Sequence, residues 1–179
     1  MSELHVSYTV TVSDFRKASY FGLFLRYRRP FQILFVVLAG SFLYAVGGAL
    51  GLGEVNALVF FIGAAYLAWG LLMLAGTEKQ VLRYLKSPES MIGQTYEVSV
   101  SGEQIRFSMP GRGETAVFPF GKLTCVFEIS QLFLVYTSAT QVYLLPKRAL
   151  APEQQLWLRR LFRTALGANF GSRFHKGGK

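Results

Sequence analysis

FQILFVVLAGSFLYAVGGALGLGEVNALVFFIGAAYLAWGLLMLA, residues 31–75, decides the fold because nearly every residue in it is apolar. Its single charged residue is Glu54, which lies near the middle in a turn-like, glycine-containing string. A bilayer core about 30 Å thick needs roughly 20 apolar residues per helix. The stretch therefore predicts a transmembrane hairpin, with spans at residues 31–52 and 57–74.

Basic residues flank the predicted hairpin on both sides. They are Arg16, Lys17, Arg26, Arg28 and Arg29 before it, and Lys79, Arg83 and Lys86 after it. The connecting turn contains no Lys or Arg, so the positive-inside rule predicts that both termini are cytoplasmic. Neither span contains a residue charged at neutral pH or a histidine. This argues against a transporter or proton pump, in which such residues carry the function.

The charge of the chain also bears on its partners. The 179 residues carry a net charge of +9, and the basic residues crowd beside the apolar block and at the C-terminus. That distribution favours the anionic headgroups of a lipid bilayer as the partner. We expect no nucleic-acid partner, because the sequence contains no nucleic-acid-binding motif.

Small residues within the two spans predict close helix packing. Gly47 and Gly51 form a GxxxG pattern, and Gly63 and Ala64 lie near the middle of the second span. Small residues let two helix backbones approach closely. The same pattern could serve a homodimer, but the short turn holds the second span at high effective concentration. We therefore expect the two spans to pack on each other.

The segment before the hairpin combines a strand and a helix. Residues 1–12 contain alternating apolar positions from Leu4 to Val12, which predict a strand. A lone strand is not stable, so it is expected to pair with strands after the hairpin. Residues 13–29 change to helical spacing and predict an amphipathic helix, with Ser13 or Asp14 as its N-cap and a boundary before Pro30. Its arginines either bind lipid or only set topology, and we favour topology.

The remainder predicts a linker and an antiparallel β domain. Residues 76–90 are expected to form a linker helix that ends at Ser87-Pro88. Residues 91–170 contain six short strand patterns and a final helix at residues 152–166, which begins with a favourable proline. The strand patterns cover residues 94–100, 104–109, 114–120, 123–129, 132–136 and 142–145. Residues 171–179 predict a disordered basic tail. The predicted fold class is thus a membrane α+β protein.

Two stretches resemble a known family. SYTVTVSDF at residues 7–15 is a strand that continues into a helix, and YLLPKRAL at residues 143–150 is a strand that ends in Pro-Lys-Arg. With the hairpin between them, they resemble the bacterial YcxB-like membrane proteins. The seven strands and C-terminal helix resemble the pleckstrin-homology-like (PH-like) plan. The resemblance implies a bacterial cytoplasmic (inner) membrane protein with a cytoplasmic PH-like domain, and no established biochemical role.

Catalytic chemistry is not apparent. The single cysteine, Cys125, lies in a strand pattern, and the two histidines, His5 and His175, lie near opposite ends of the chain. We expect no metal, no cofactor and no enzymatic activity. Lys147-Arg148 either grips a phosphate headgroup or an acidic peptide, or forms a solvated turn.

Three classes of function remain open. The first is a membrane-anchored, non-enzymatic binding or scaffold module with a protein partner on the cytoplasmic side. The second is a sensor of anionic lipid headgroups, and the third is an accessory subunit of a larger membrane complex. The candidate lipid- or partner-binding residues are Arg26, Arg28, Arg29, Lys79, Arg83, Lys147 and Arg148.

Overall fold

The computed structural model describes residues 3–51, 56–87 and 90–172. The chain is α+β, with two long apolar helices followed by antiparallel strands. It divides into two compact units: Ser19–Pro88 forms one, and Met1–Ala18 together with Glu89–Lys179 forms the other. The predictions for Glu54 in the turn, for Pro88 and for the tail at residues 173–179 lie outside the described residues.

The helical unit contains most of α1 (Val12–Arg26) and all of α2 (Arg28–Ala49) and α3 (Ala57–Leu85). By length and composition, α2 and α3 could each cross a membrane, with mean hydropathies of 1.9 and 2.2. In each helix, only 11% of the most apolar 18-residue segment is buried.

The helix boundaries differ from the sequence prediction in two places. The break between α1 and α2 falls at Tyr27, so Arg28 and Arg29 belong to α2 and not to the amphipathic helix. Pro30 lies in the first turn of α2, where a missing N–H breaks no helical hydrogen bond. The predicted second span and linker helix form one continuous helix, because nothing in residues 75–85 interrupts the helical backbone.

The start of α1 is capped by a residue that the sequence analysis did not name. Thr11 Oγ1 accepts a hydrogen bond from the Asp14 backbone N–H at 3.3 Å, and the Thr11 N–H donates to Asp14 Oδ2 at 2.9 Å. This reciprocal pair is a capping box. Thr11 is therefore the N-cap, in place of the predicted Ser13 or Asp14, and Asp14 is its partner.

The first sheet has the order β1-β2-β3-β4. Its strands are β1 (Leu4–Thr9), β2 (Thr95–Val100), β3 (Gln104–Met109) and β4 (Glu114–Pro119). β1 pairs antiparallel with β2, from Leu4 opposite Val100 to Thr9 opposite Thr95. The strand before the helices thus completes a sheet whose other strands all follow them.

The second sheet has the order β7-β6-β5-β8. Its strands are β5 (Cys125–Glu128), β6 (Leu132–Tyr136), β7 (Val142–Pro146) and β8 (Phe170–Ser172). All six strands predicted after the helices are present, as is the final helix, α4 (Pro152–Leu166).

β8 corrects the prediction that the tail is disordered from Gly171 onward. It pairs parallel with β5, with Phe170 opposite Val126 and Gly171 opposite Phe127. A Cβ atom at Gly171 would lie 2.7 Å from two ring carbons of Phe127, so a larger residue there would have to displace that ring. The sequence analysis missed this strand because it is too short to show an alternating pattern.

Aromatic side chains fill the core of the β unit. Phe107 stacks on Tyr143 with ring centroids 4.3 Å apart, which joins the two sheets. On α4, Phe162 is fully buried, and its ring centroid lies 5.9 Å from that of Phe120 and 6.0 Å from that of Phe133. The fold thus anchors α4 through residues from β6 and from the turn before β5.

Candidate functional site

The predicted cations Lys147 and Arg148 lie in a short 3-10 turn, Lys147–Ala149, directly after β7. The turn is held from α4: the side-chain Nε2 of Gln155 donates to the Lys147 and Leu150 carbonyl oxygens at 3.0 and 3.1 Å. The two neighbouring cations therefore have fixed positions, and each meets a different buried carboxylate.

Glu128, at the end of β5, is the partner of Lys147. Its side chain is fully buried and accepts from Lys147 Nζ at 2.7 Å. Arg159 on α4 donates to both carboxylate oxygens, with Nε at 2.7 Å and a terminal nitrogen at 2.5 Å. Burial by itself raises the pKa of the Glu128 carboxyl, but the hydrogen bonds from Arg159 and Lys147 outweigh it and hold that pKa below its ordinary value.

Asp14, in the first turn of α1, is the partner of Arg148. Both terminal nitrogens of the Arg148 guanidinium donate to the Asp14 carboxylate at 2.6 Å, and one also donates to the Thr9 carbonyl oxygen at 2.8 Å. Desolvation opposes ionisation of Asp14, yet the hydrogen bonds from Arg148 and Thr11 lower its pKa. This pair fixes the start of α1 to the turn after β7.

These ion pairs change the interpretation of Lys147-Arg148. The Lys147 side chain is only 11% exposed and that of Arg148 is 49% exposed, and each charge is matched inside the domain. Because both side chains form ion pairs within the chain, the turn is not merely solvated. Binding of lipid or partner by these two residues stays a prediction, and their observed contacts are structural.

The other five candidate cations lie in the helical unit, and their charges are not matched by a described carboxylate. Arg26, Arg28, Arg29, Lys79 and Arg83 are all exposed. Arg26 lies over the Tyr27 ring, 5.9 Å from its centroid. Among the described residues, no carboxylate lies within ion-pair distance of any of the five. Their charges are therefore available to a ligand outside the chain.

The candidate packing residues contribute unequally to the contact between α2 and α3. A Cβ atom on Gly63 would lie 2.8 Å from Ser41 Oγ, so this glycine permits close approach. A Cβ atom on Gly47 or Gly51 would meet no atom within 4 Å, and Ala64 is exposed. The GxxxG pattern does not form the contact, which uses a different set of small residues.

Two residues of that set lie seven residues apart on α3. Gly63 and Gly70 are both buried, and a Cβ atom on Gly70 would lie 2.9 Å from Leu34 Cδ2. A seven-residue repeat keeps one helix face against its neighbour. The GxxxG prediction did not include Gly70, because a four-residue spacing does not connect it to Gly63.

The sequence analysis also missed Asp14 as an ion-pair partner, and Glu128 and Arg159 altogether. On β5, the structure fully buries Val126 and Glu128 and leaves Cys125 and Phe127 half-buried. Arg159 on α4 donates to the buried Glu128 carboxylate. A single glutamate in a short strand gives no signal of its distant partners.

Two features bear on catalytic chemistry: metal-binding clusters and the single cysteine. No group of three or more His, Cys, Asp or Glu side chains in residues 3–51, 56–87 and 90–172 is placed to hold a metal ion. Burial raises the pKa of the Cys125 thiol, which disfavours the reactive thiolate form.

Comparison with known proteins gives no further assignment. No family model matches the chain, no curated protein matches it, and no solved structure matches its fold.

Proposed function

We propose that this protein is a non-enzymatic binding module, anchored in a bacterial inner membrane by the α2–α3 hairpin. The observation that carries the proposal is the exposure of the two apolar helices. A core helix of a soluble protein is mostly buried, whereas side chains such as Val36 (72% exposed), Phe61 (73%) and Leu72 (70%) are open. An apolar surface of this extent on a soluble monomer favours aggregation, and a bilayer removes it from water.

The exposed cations support one orientation of the proposed hairpin. Arg28 and Arg29 begin α2, and Lys79 and Arg83 lie in the last two turns of α3. Both groups lie at the open end of the hairpin, opposite the turn. The positive-inside rule places that end, and both chain termini, in the cytoplasm.

The β unit supports a binding role. Two sheets, antiparallel except for the β5–β8 pair, and a C-terminal helix suit the PH-like plan, and the insertion of the helices between β1 and β2 suits the YcxB-like resemblance. β4 is an edge strand of the first sheet, and Val117 on it is 42% exposed. An exposed edge can pair with an extended segment of a partner protein. The module would present this edge to the cytoplasm.

Two experiments test the proposal. Alkaline carbonate extraction of cell membranes should leave the full-length protein in the pellet, and reporter fusions at both termini should give cytoplasmic signals. Release by carbonate, or a periplasmic signal from either terminus, would refute the membrane anchor.

The binding role is tested with a photo-crosslinking amino acid. Placed at Val117 on β4, it should capture a discrete protein in native membranes. The matched control is Ser99, which lies on central strand β2 opposite Arg106, the residue that pairs with Val117. Equal capture from both positions, or none from either, would count against β4 as the binding edge. Co-purification of the captured protein in fixed ratio would identify an accessory subunit of a complex.

A lipid-headgroup sensor is a second candidate function. The observation that favours it is the set of five exposed cations without a carboxylate partner among the described residues. Binding of the full-length protein to phosphatidylglycerol but not to phosphatidylcholine would support it.

A further inference from the structure

A groove on the surface of the helical unit lies between α2 and α3. It is lined by Pro30 and Ile33 on α2 and by Ala65, Tyr66 and Trp69 on α3. Its lining is mainly apolar, and it lies near the end of the hairpin at which α2 begins. Phe31 anchors this end, with its ring 5.8 Å from that of Trp69.

Hydrogen-bond donors border the groove at its open end. Arg29 lies one helical turn before Ile33, so both lie on the same side of α2. The Trp69 indole N–H can only donate a hydrogen bond. Among the described residues, no hydrogen bond joins the side chain of Arg28, Arg29 or Trp69 to an acceptor. The groove thus combines an apolar floor with donors at one end.

Within the described part of the helical unit, no acidic group forms an ion pair with these donors. Glu78 is the single carboxylate among the described residues of the helical unit, and it accepts a hydrogen bond from the Tyr20 hydroxyl at 2.8 Å. The open end of the groove therefore carries uncompensated positive charge. A ligand that matches it needs an apolar chain joined to an anionic group that accepts hydrogen bonds.

We propose that the groove binds one anionic phospholipid, with an acyl chain between Ile33 and Tyr66 and the phosphate on Arg29. This inference rests on the proposed membrane anchor and gives the ligand of this arginine. Phosphate oxygens suit the guanidinium donors, and ester oxygens of the glycerol suit the indole N–H. The headgroup lies where a bilayer interface would meet the start of α2.

A lipid fits this groove better than a helix of a second copy does. Helices in membranes pack through small residues, and the small residues Gly63 and Gly70 already face α2. The groove is instead rimmed by bulky side chains, of which Ile33 is 51% and Tyr66 38% exposed. A flexible acyl chain can follow such an uneven surface, whereas a second helix cannot approach closely.

The test is native mass spectrometry of the full-length protein in detergent with added lipid. Phosphatidylglycerol and phosphatidylcholine with identical acyl chains are compared. We expect one phosphatidylglycerol to be retained, with an affinity roughly fivefold above that for phosphatidylcholine, since one basic residue contributes about 1 kcal/mol toward anionic lipid. Equal retention of the two lipids would overturn the proposal, as would a protein dimer that excludes lipid.

Substitutions distinguish lipid binding in the groove from general charge attraction. The substitution Arg29→Gln should reduce phosphatidylglycerol retention to the phosphatidylcholine level, whereas Arg28→Gln, which removes the same charge from the opposite side of α2, should not. Ala65→Trp should fill the groove and weaken retention without altering helix content. An equal loss in both charge variants, or no loss with Ala65→Trp, would contradict a specific site.

Two controls identify the source of a negative result. Glycerol 3-phosphate should fail to displace the lipid, because it lacks the acyl chain, and displacement by it would reduce the site to a headgroup contact. Carbonate extraction of each variant reports the membrane anchor independently. A protein that stays in the membrane but retains no lipid would refute this inference and leave the proposed anchor standing.

Discussion

Asp14 and Arg148 form an ion pair across 134 residues of sequence, with both terminal guanidinium nitrogens 2.6 Å from the carboxylate. Asp14 precedes the two apolar helices and Arg148 follows every strand of the first sheet. The pair therefore ties together two parts of the β unit that the apolar helices separate in sequence. The pairing of β1 with β2 also joins these two parts of the chain, through backbone hydrogen bonds.

A double-mutant cycle should measure this pair. We expect Asp14→Asn and Arg148→Gln to be coupled by about 1 kcal/mol in the free energy of unfolding, because solvent screens the half-exposed guanidinium. The measurement is chemical unfolding of the full-length protein in mild detergent. The exposed pair Glu3 and His5, 3.5 Å apart, is the matched control and should show less coupling. Strict additivity at Asp14 and Arg148 would mean that the contact contributes no net stability.

Substitution of Glu128 should lower the free energy of unfolding by more than loss of the Asp14–Arg148 pair does. Glu128→Gln removes a fully buried carboxylate and leaves Lys147 and Arg159 without their counter-charge. We expect a loss of about 3 kcal/mol in the free energy of unfolding, since removal of one partner of a buried ion pair is strongly destabilising. Near-ultraviolet circular dichroism during urea unfolding checks this. The exposed Glu97 provides the control, and Glu97→Gln should change stability by less than about 0.5 kcal/mol. Equal effects of the two substitutions would contradict the role of the buried cluster.

The same carboxylates predict the response to acid. Folding lowers the pKa values of both Asp14 and Glu128. Their ion pairs therefore stabilise the folded state above the unfolded-state pKa values of about 4, and this contribution is lost as pH falls through the lower folded-state values. We expect the free energy of unfolding to decline below about pH 4, and the decline to be shallower in the Asp14→Asn/Glu128→Gln variant. An unchanged pH dependence in that variant would assign the acid sensitivity to other groups.

Glycine substitutions should distinguish the observed helix contact from the GxxxG pattern. Gly63→Val places side-chain atoms where Ser41 lies, whereas Gly47→Val meets open space. Both changes introduce the same β-branched residue into a helix, so any difference between them reports packing. We expect Gly63→Val to lower the detergent concentration at which the helices separate, with Gly47→Val near wild type. Titration with dodecyl sulfate, followed by interhelical energy transfer, measures this. A larger effect at Gly47 would assign the contact to the GxxxG face.

Much of the secondary structure was predictable from local pattern. The alternation of Tyr96, Val98 and Val100 indicates a strand, and Pro152 marks the first residue of α4; both agree with the structure. The uninterrupted apolar composition of residues 57–74 likewise indicates a long helix. These features depend on neighbouring residues, so the sequence contains the information directly.

The sequence alone determined most of the helices and strands and the charge distribution, because helix and strand propensity, hydrophobic period and composition act over a few neighbouring residues. Tertiary structure decided which residues meet. It placed Glu128 between Lys147 and Arg159, chose Gly63 and Gly70 over Gly47 for the helix contact, and added β8 beside β5. These outcomes depend on which distant segments share space, and a buried carboxylate or a close glycine gives no local signal of its partner. For the same reason, the candidate binding residues Lys147 and Arg148 form ion pairs within the domain, while Arg28 and Arg29 have exposed charges.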